Sequence, residues 1–226
     1  PRAATTSVSR GPHNVRVHGV EVPVKLAALV AAPFGNHGQI AEYLDGLDHW
    51  GRVAETRSLG RSQQRRLWEK AADCAPLTLD DFVPQSVGSL VEVIHEGRNT
   101  LPLPGPFRHF QKRFCRPADA DNCLYGYNEG STRPLIGPGF FVTIPTAGTA
   151  AWETRGAIVV DYFQVPQGPV VSAWPKVVDN QTGLQVLVYN GTRDFMRKVS
   201  DFVTIGAAYK GENPLDHYFT LVRHPV

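Results

Sequence analysis

At 226 residues the chain can bury a sizeable core as one large domain, and its 42% hydrophobic and 19% charged content excludes wholesale disorder. The formal net charge is +2 and cations are interspersed with acids, so the basic stripe of a nucleic-acid binder is missing. No apolar run approaches the roughly 18 residues that a membrane-spanning helix needs, and the many Gly and Pro residues favour turns over long helices.

Residues 1–13, rich in Ser, Thr, Arg, Gly and Pro, read as a loose arm. Val15, Val17, Val20 and Val22 bracket His18-Gly19 as in a small hairpin. Residues 25–32 suit a short helix. The surrounding apolar run, 24–34, is closed by Pro33 and lacks a basic segment directly before it, which argues against a signal peptide. In residues 38–49, Ile40, Tyr43, Leu44 and Leu47 recur at helical spacing, with Asn36 as a cap and Gly46 weakening the middle. A further helix spans 62–74, capped by Ser62, with Leu67, Trp68, Ala71 and Cys74 as its apolar stripe. Its cations Arg61, Arg65, Arg66 and Lys70 lie elsewhere on its surface and read as a solvated face. Residues 1–76 are thus expected to be an arm and a helical segment packed on the sheet that follows.

From Thr78 the texture changes. Thr78 caps one helical turn over 78–82, residues 89–96 alternate as a strand, and the Pro/Gly-rich stretch 97–106 reads as an irregular linker. Residues 107–115 fit a helix through Phe107, Phe110 and Phe114. They also fit a strand whose one face carries Arg108, Phe110, Lys112 and Phe114, and the short loop to the next aromatic run favours this strand. Strands are expected at 123–128, 140–144, 157–165, 184–190, 202–209 and 217–223, with one or two helical turns within 190–200, where Phe195 and Val199 recur. Gly137-Pro138-Gly139 reads as a bend before a strand and is too proline-broken to cradle a phosphate. There is no βαβ alternation and no fixed-period repeat. The expected fold is α+β: N-terminal helices followed, over 77–226, by a curved antiparallel sheet forming a barrel or half-barrel, the whole being one structural unit.

No GxSxG, Walker A, GxGxxG, HExxH or CxxC motif occurs, and no histidine pair has metal-ligand spacing, so neither metal nor cofactor is implied. Cys74, Cys115 and Cys123 are too few for a disulfide scaffold. Cys115 and Cys123 can face each other across a hairpin, as a disulfide or as two small buried hydrophobes, and the cations Lys112, Arg113 and Arg116 would lower the Cys115 pKa.

The best polar candidate is Asp161, a carboxylate in the most apolar strand, either buried and paired with Arg193 or Arg197 or turned to water. Asp194 and Arg197 fit a local surface ion pair. His95 and His109 lie among apolar or aromatic neighbours, each as a hydrogen-bonded sheet histidine or as a pocket acid/base. Asp161, His95, His109 and Arg197 are therefore the catalytic candidates. Tyr125, Tyr127, Phe110, Phe141 and Arg193 are the ligand-binding candidates, although paired tyrosines more often pack as cross-strand neighbours.

No motif here has a unique chemical meaning. The aromatic-rich antiparallel sheet favours a soluble, cytoplasmic barrel that binds a small apolar or amphipathic organic molecule in an internal cavity, with neither nucleic acid nor membrane as partner. A second reading makes the same cavity a cofactor-independent isomerase, cyclase, lyase or hydrolase, with Asp161 as base and His95 or His109 as acid. A third makes the helical third an interaction or structural module.

Overall fold

The computed structural model describes residues 14–17, 20–23, 25–102 and 104–226. Strands β1 (Asn14–Val17) and β2 (Val20–Pro23) pair antiparallel with Val15 opposite Val22, as the alternating valines suggest. The expected arm over 1–13 and the His18-Gly19 turn lie outside the described residues. Four helices follow: α1 (Leu26–Ala31), α2 (His37–Asp45), α3 (His49–Ser58) and α4 (Arg61–Lys70).

Helix α2 ends at Gly46, and Asp48 then caps α3 by accepting the Gly51 N–H at 2.7 Å. No helix was expected at α3, because it buries polar Arg52, Glu55 and Thr56 along with Val53 and Ala54. Glu55 explains part of that. Its carboxylate accepts the Lys25 and Leu26 N–H groups at the start of α1 and the Tyr43 hydroxyl at 2.5 Å, so it ties three helices together.

The cations of α4 are also placed, not simply solvated. Arg61 and Arg65 pair with Asp216, and the buried Lys70 donates to Pro33 O and Asn36 Oδ1. Among the described residues no helix is long and apolar enough to cross a membrane.

After a 3-10 turn at Leu79–Asp81, capped by Thr78 as expected, eight strands close into an antiparallel barrel. They are β3 (Val93–Asn99), β4 (His109–Cys115), β5 (Leu124–Glu129), β6 (Phe141–Pro145), β7 (Ile158–Asp161), β8 (Thr192–Lys198), β9 (Val203–Lys210) and β10 (Asn213–Arg223). Each strand pairs with the next in sequence, and β10 pairs with β3 to complete the ring. Single helical turns α5 (Arg133–Ile136), α6 (Ala150–Glu153) and α7 (Gln185–Val188) interrupt the later connections.

The α+β expectation holds, with the sheet fully closed. Several local expectations do not, among them the strand expected at 89–96, which begins only at Val93, and that at 157–165, which ends at Asp161. Residues 192–198 are strand β8 and not helical turns, and 184–190 contain α7 and not a strand. The reason is that both faces of β8 are mixed: Thr192, Asp194 and Met196 share the face that enters the barrel, while Phe195 packs outside against the helices. Alternation in hydropathy is therefore absent from a segment that alternates in geometry. Finally, the supposed linker is regular at both ends, since β3 runs to Asn99 and a 3-10 turn spans Gly105–Arg108.

The barrel interior is shaped by three register pairs, Gly97 opposite Phe110, Gly126 opposite Phe141 and Gly206 opposite Phe219. In each pair the ring lies over the glycine, where a Cβ would meet it at or below van der Waals contact. These pairs lean three phenyl rings across the lumen. One end is filled by Val93, Phe114, Leu124, Ile158, Val160, Met196 and Leu221, and plugged by Leu77, Phe82 and Val83.

Outside, the helices cover β8 to β10 through Leu26, Ile40, Leu44, Leu67, Phe195 and Ile205, among others. On the opposite flank Trp174 and the apolar residues around it cover the outer face of β4 to β6.

Candidate ligand cavity

Strand β4 turns Phe110, Lys112 and Phe114 inward and Gln111, Arg113 and Cys115 outward. That places a lysine in the lumen, on a face otherwise aromatic. Lys112 is 1% exposed, and its chain crosses the barrel toward β7 and β8. Its Nζ donates to Asn128 Oδ1 at 3.1 Å and to the Tyr162 hydroxyl, and lies 3.2 Å from Asp194 Oδ2. Asn128 Nδ2 in turn donates to the Tyr162 hydroxyl at 3.1 Å and to Gly139 O at 3.0 Å. Four rings surround the ammonium, with centroids at 4.8 Å (Phe141), 4.9 Å (Tyr162), 5.1 Å (Phe219) and 5.9 Å (Phe110).

All three ammonium protons thus have an acceptor, which is what makes a charge tolerable at this depth. Burial nonetheless penalises both ions. It lowers the Lys112 pKa and raises that of Asp194, and each partner's charge draws the other part of the way back. Burial also pushes Tyr162 well above the ordinary phenol range, so its hydroxyl stays protonated.

Above this quartet, at the end of the barrel away from Phe82, lies a cavity of about 180 Å³. Phe110, Tyr189, Phe219, Leu101 and Ile136 line its wall, and Lys112, Asn128, Tyr162 and Asp194 line its floor. Its rim carries Phe107, Val188 and Leu215, large apolar side chains each left more than a third exposed. The rim charges Glu129 and Arg133 pair with each other at 2.7 Å.

One wall depends on the Gly137-Pro138-Gly139 bend. Gly139 has φ +52°, its N–H donates to Gln185 Oε1 at 2.9 Å, and a Cβ there would run into the Tyr189 ring. Asn180 fixes the same segment by donating to Phe140 O and Tyr162 O. Tyr189 is thereby laid on Tyr162, with centroids 5.2 Å apart and planes 19° from parallel. Gly139→Ala is expected to lower the unfolding free energy by more than about 1 kcal/mol, read from the urea midpoint at unchanged m-value. A midpoint equal to wild type would show that this contact does not hold the wall.

The structure brings two of the nine sequence candidates to this site. Phe110 lines the cavity, and Phe141 lies beneath the Lys112 ammonium. His95 also faces inward, but on the plugged side. Its Nε2 is 3.0 Å from Phe82 O, and Phe82 and Phe114 pack on its ring. The other six are on the outer surface of the barrel.

Asp161 is 2% exposed, lies 3.3 Å from Arg193, and accepts from Phe163 N and Gln164 Nε2. Arg193 itself is sandwiched between Trp152 and Phe163. Arg197 lies over Trp68 and donates to the carbonyls of Trp68 and Arg155, fastening α4 to the barrel. Tyr125 and Tyr127 pack under Trp174, and His109 is an exposed residue at the start of β4.

Asp161, His95 and His109 therefore do not share a cavity. Asp194 and Arg197, expected as a surface ion pair, are on opposite faces of β8, and Asp194 pairs instead with Lys112. Cys115 and Cys123 are free thiols, and burial pushes Cys115 up to about 12, the reverse of the expected lowering by nearby cations.

None of Lys112, Asn128, Tyr162, Tyr189 and Asp194 was among the site candidates read from the sequence. The one available signal was the Phe-x-Lys-x-Phe spacing of β4, which places a lysine between two rings on one strand face. Compared with models of protein families, with curated proteins and with solved structures, the chain matches none, so what the cavity does must be read from its own geometry.

Proposed function

We propose that this barrel binds a small, mainly apolar organic molecule bearing one polar group, in the cavity above Lys112. The observation that supports it is a buried, hydrogen-bonded Lys112–Asp194–Tyr162–Asn128 quartet at the floor of an aromatic cavity whose rim is apolar. Apolar walls with a few convergent polar groups are the general chemistry of small-molecule sites. Size limits the ligand. An engineered apolar cavity of about 150 Å³ takes up benzene, so about 180 Å³ suits a single ring or a short branched chain.

Titration with benzyl alcohol tests this by calorimetry. Wild type is expected to bind one molecule per chain saturably. Ala208 lines the cavity, opposite Asp194 and next to His217, so Ala208→Phe fills it. That variant is expected to keep its fold, judged by its thermal transition, and to lose at least about tenfold in affinity, or about 1.4 kcal/mol. Saturable binding unaffected by Ala208→Phe would place the ligand elsewhere.

A further inference from the structure

Among the described residues two lysines are almost fully buried, Lys70 and Lys112. The Lys70 amine is used between helices, on Pro33 O and Asn36 Oδ1. Lys112 lines the cavity, and its immediate partner, Asp194, lines it too. Two features restrict what can sit on this amine. First, the Lys112 and Asp194 charges cancel within the pair, and so do those of Glu129 and Arg133 at the rim, so an anionic ligand gains no net positive charge here. Second, the wall is aromatic and aliphatic, so the ligand body is apolar and its single polar group is neutral.

A neutral polar group presented to a desolvated amine is the arrangement for carbonyl chemistry. We infer that Lys112 forms a reversible imine with a small, neutral aldehyde or ketone seated in the cavity, an inference that rests on the binding role proposed above.

The neighbours supply each proton step. Asp194 Oδ2, 3.2 Å from Nζ, takes one proton from the ammonium and leaves a neutral amine beside a neutral carboxylic acid. The amine lone pair attacks the carbonyl carbon, the C–N bond forms, and the C=O π pair moves onto oxygen. A proton passes from nitrogen to that oxygen, with the Tyr162 hydroxyl, which accepts from Nζ, as the relay. The carbinolamine hydroxyl then leaves as water with the proton held by Asp194, while the nitrogen lone pair forms C=N. Ammonium, carboxylate and carbonyl thus become iminium, carboxylate and one water, with no oxidant or reductant needed. Burial favours the first step, because it lowers Lys112 and raises Asp194. Asn128 holds the amine and the Tyr162 hydroxyl in register throughout.

The test is reductive trapping at pH 7, using benzaldehyde with sodium cyanoborohydride on the folded chain, followed by peptide mapping. Each unit by which burial lowers an amine's pKa gives about tenfold more free base. The benzyl adduct is therefore expected to accumulate at Lys112 faster than at the exposed Lys176 or Lys210. Benzyl alcohol, which has no carbonyl, should suppress labelling of Lys112 and leave Lys176 unchanged. The charge-free pair Lys112→Met/Asp194→Asn should lose the fast adduct and keep the slow ones. If benzyl alcohol binds in the cavity but Lys112 is labelled no faster than the surface lysines, the imine is overturned and the binding role stands. If benzyl alcohol does not bind and Lys112 is not labelled, both fall.

Discussion

Lys112→Met is expected to destabilise the fold by about 3–5 kcal/mol, because it leaves the Asp194 carboxylate buried with its cation removed. The loss should be large because, among the described residues of the cavity, Arg133 is already paired with Glu129 at the rim and burial lowers the pKa of His217. Beside Asp194 stand Tyr162 and Tyr189, whose hydroxyls burial keeps protonated, and the uncharged Ala208. Adding Asp194→Asn removes the stranded charge and keeps a polar group that Tyr162 can hydrogen-bond. The double variant is expected to recover most of the loss, since replacing both members of a buried pair is often close to neutral. Urea titrations of wild type, the single variant and the double variant measure this directly. Equal losses in the single and double variants would mean that the cost is a packing defect and not an uncompensated charge.

His95 is expected to make the protein acid-sensitive well above the pH at which carboxylates titrate. Burial holds its folded pKa down to about 3, from an ordinary 6.5, and Arg223, opposite it in the register, together with His224 and His49, opposes its protonation further. The Phe82 carbonyl acts the other way, less strongly than burial but more strongly than any one of these charges.

Between those two values the unfolded chain binds a proton at this residue and the folded chain does not. Stability is therefore fully present above pH 6.5 and falls as the pH drops toward 3, by up to about 1.4 kcal/mol per pH unit from this group. His49, His109 and His217 are also lowered by burial and add to the slope.

Replacing His95 with Leu removes one proton from the linkage. At pH 7 the variant is expected to lose about 1 kcal/mol for the hydrogen bond to Phe82 O. Between pH 6 and 4 its stability should fall less steeply than that of wild type, so the two curves converge or cross. Parallel curves over that window would contradict the burial of a neutral imidazole here.

How much of this was legible in the sequence follows from where polarity is placed. Strands β5, β6 and β9 could be read to within a residue of their true positions, whereas β3 starts only at Val93 because the chain turns at Leu90, φ +59°. The Gly137-Pro138-Gly139 bend was recognisable from its residues alone, and the structure adds that Tyr189 is what the missing Cβ makes room for. Strand β8 was hidden because Asp194 faces in and Phe195 faces out, an inversion that only a lumenal lysine and an outer helical layer make stable.

The same inversion misdirected the choice of site. Asp161 looked costly to bury, and it is buried, but its pairing with Arg193 takes place on the outside of the barrel. Lys112 was visible between Phe110 and Phe114, yet a lysine is so seldom drawn into a core that its partner, 82 positions along the chain from it, could be supplied only by closure of the sheet.

That the cavity above Lys112 is where a ligand sits can be tested most directly by following the Lys112 Cε–Hε NMR signal during the benzyl alcohol titration. The predicted result is a saturable shift of Lys112, together with ring signals of Phe110 and Tyr189, at the concentration where calorimetry saturates. A Lys112 signal that stays fixed while residues elsewhere shift would contradict it.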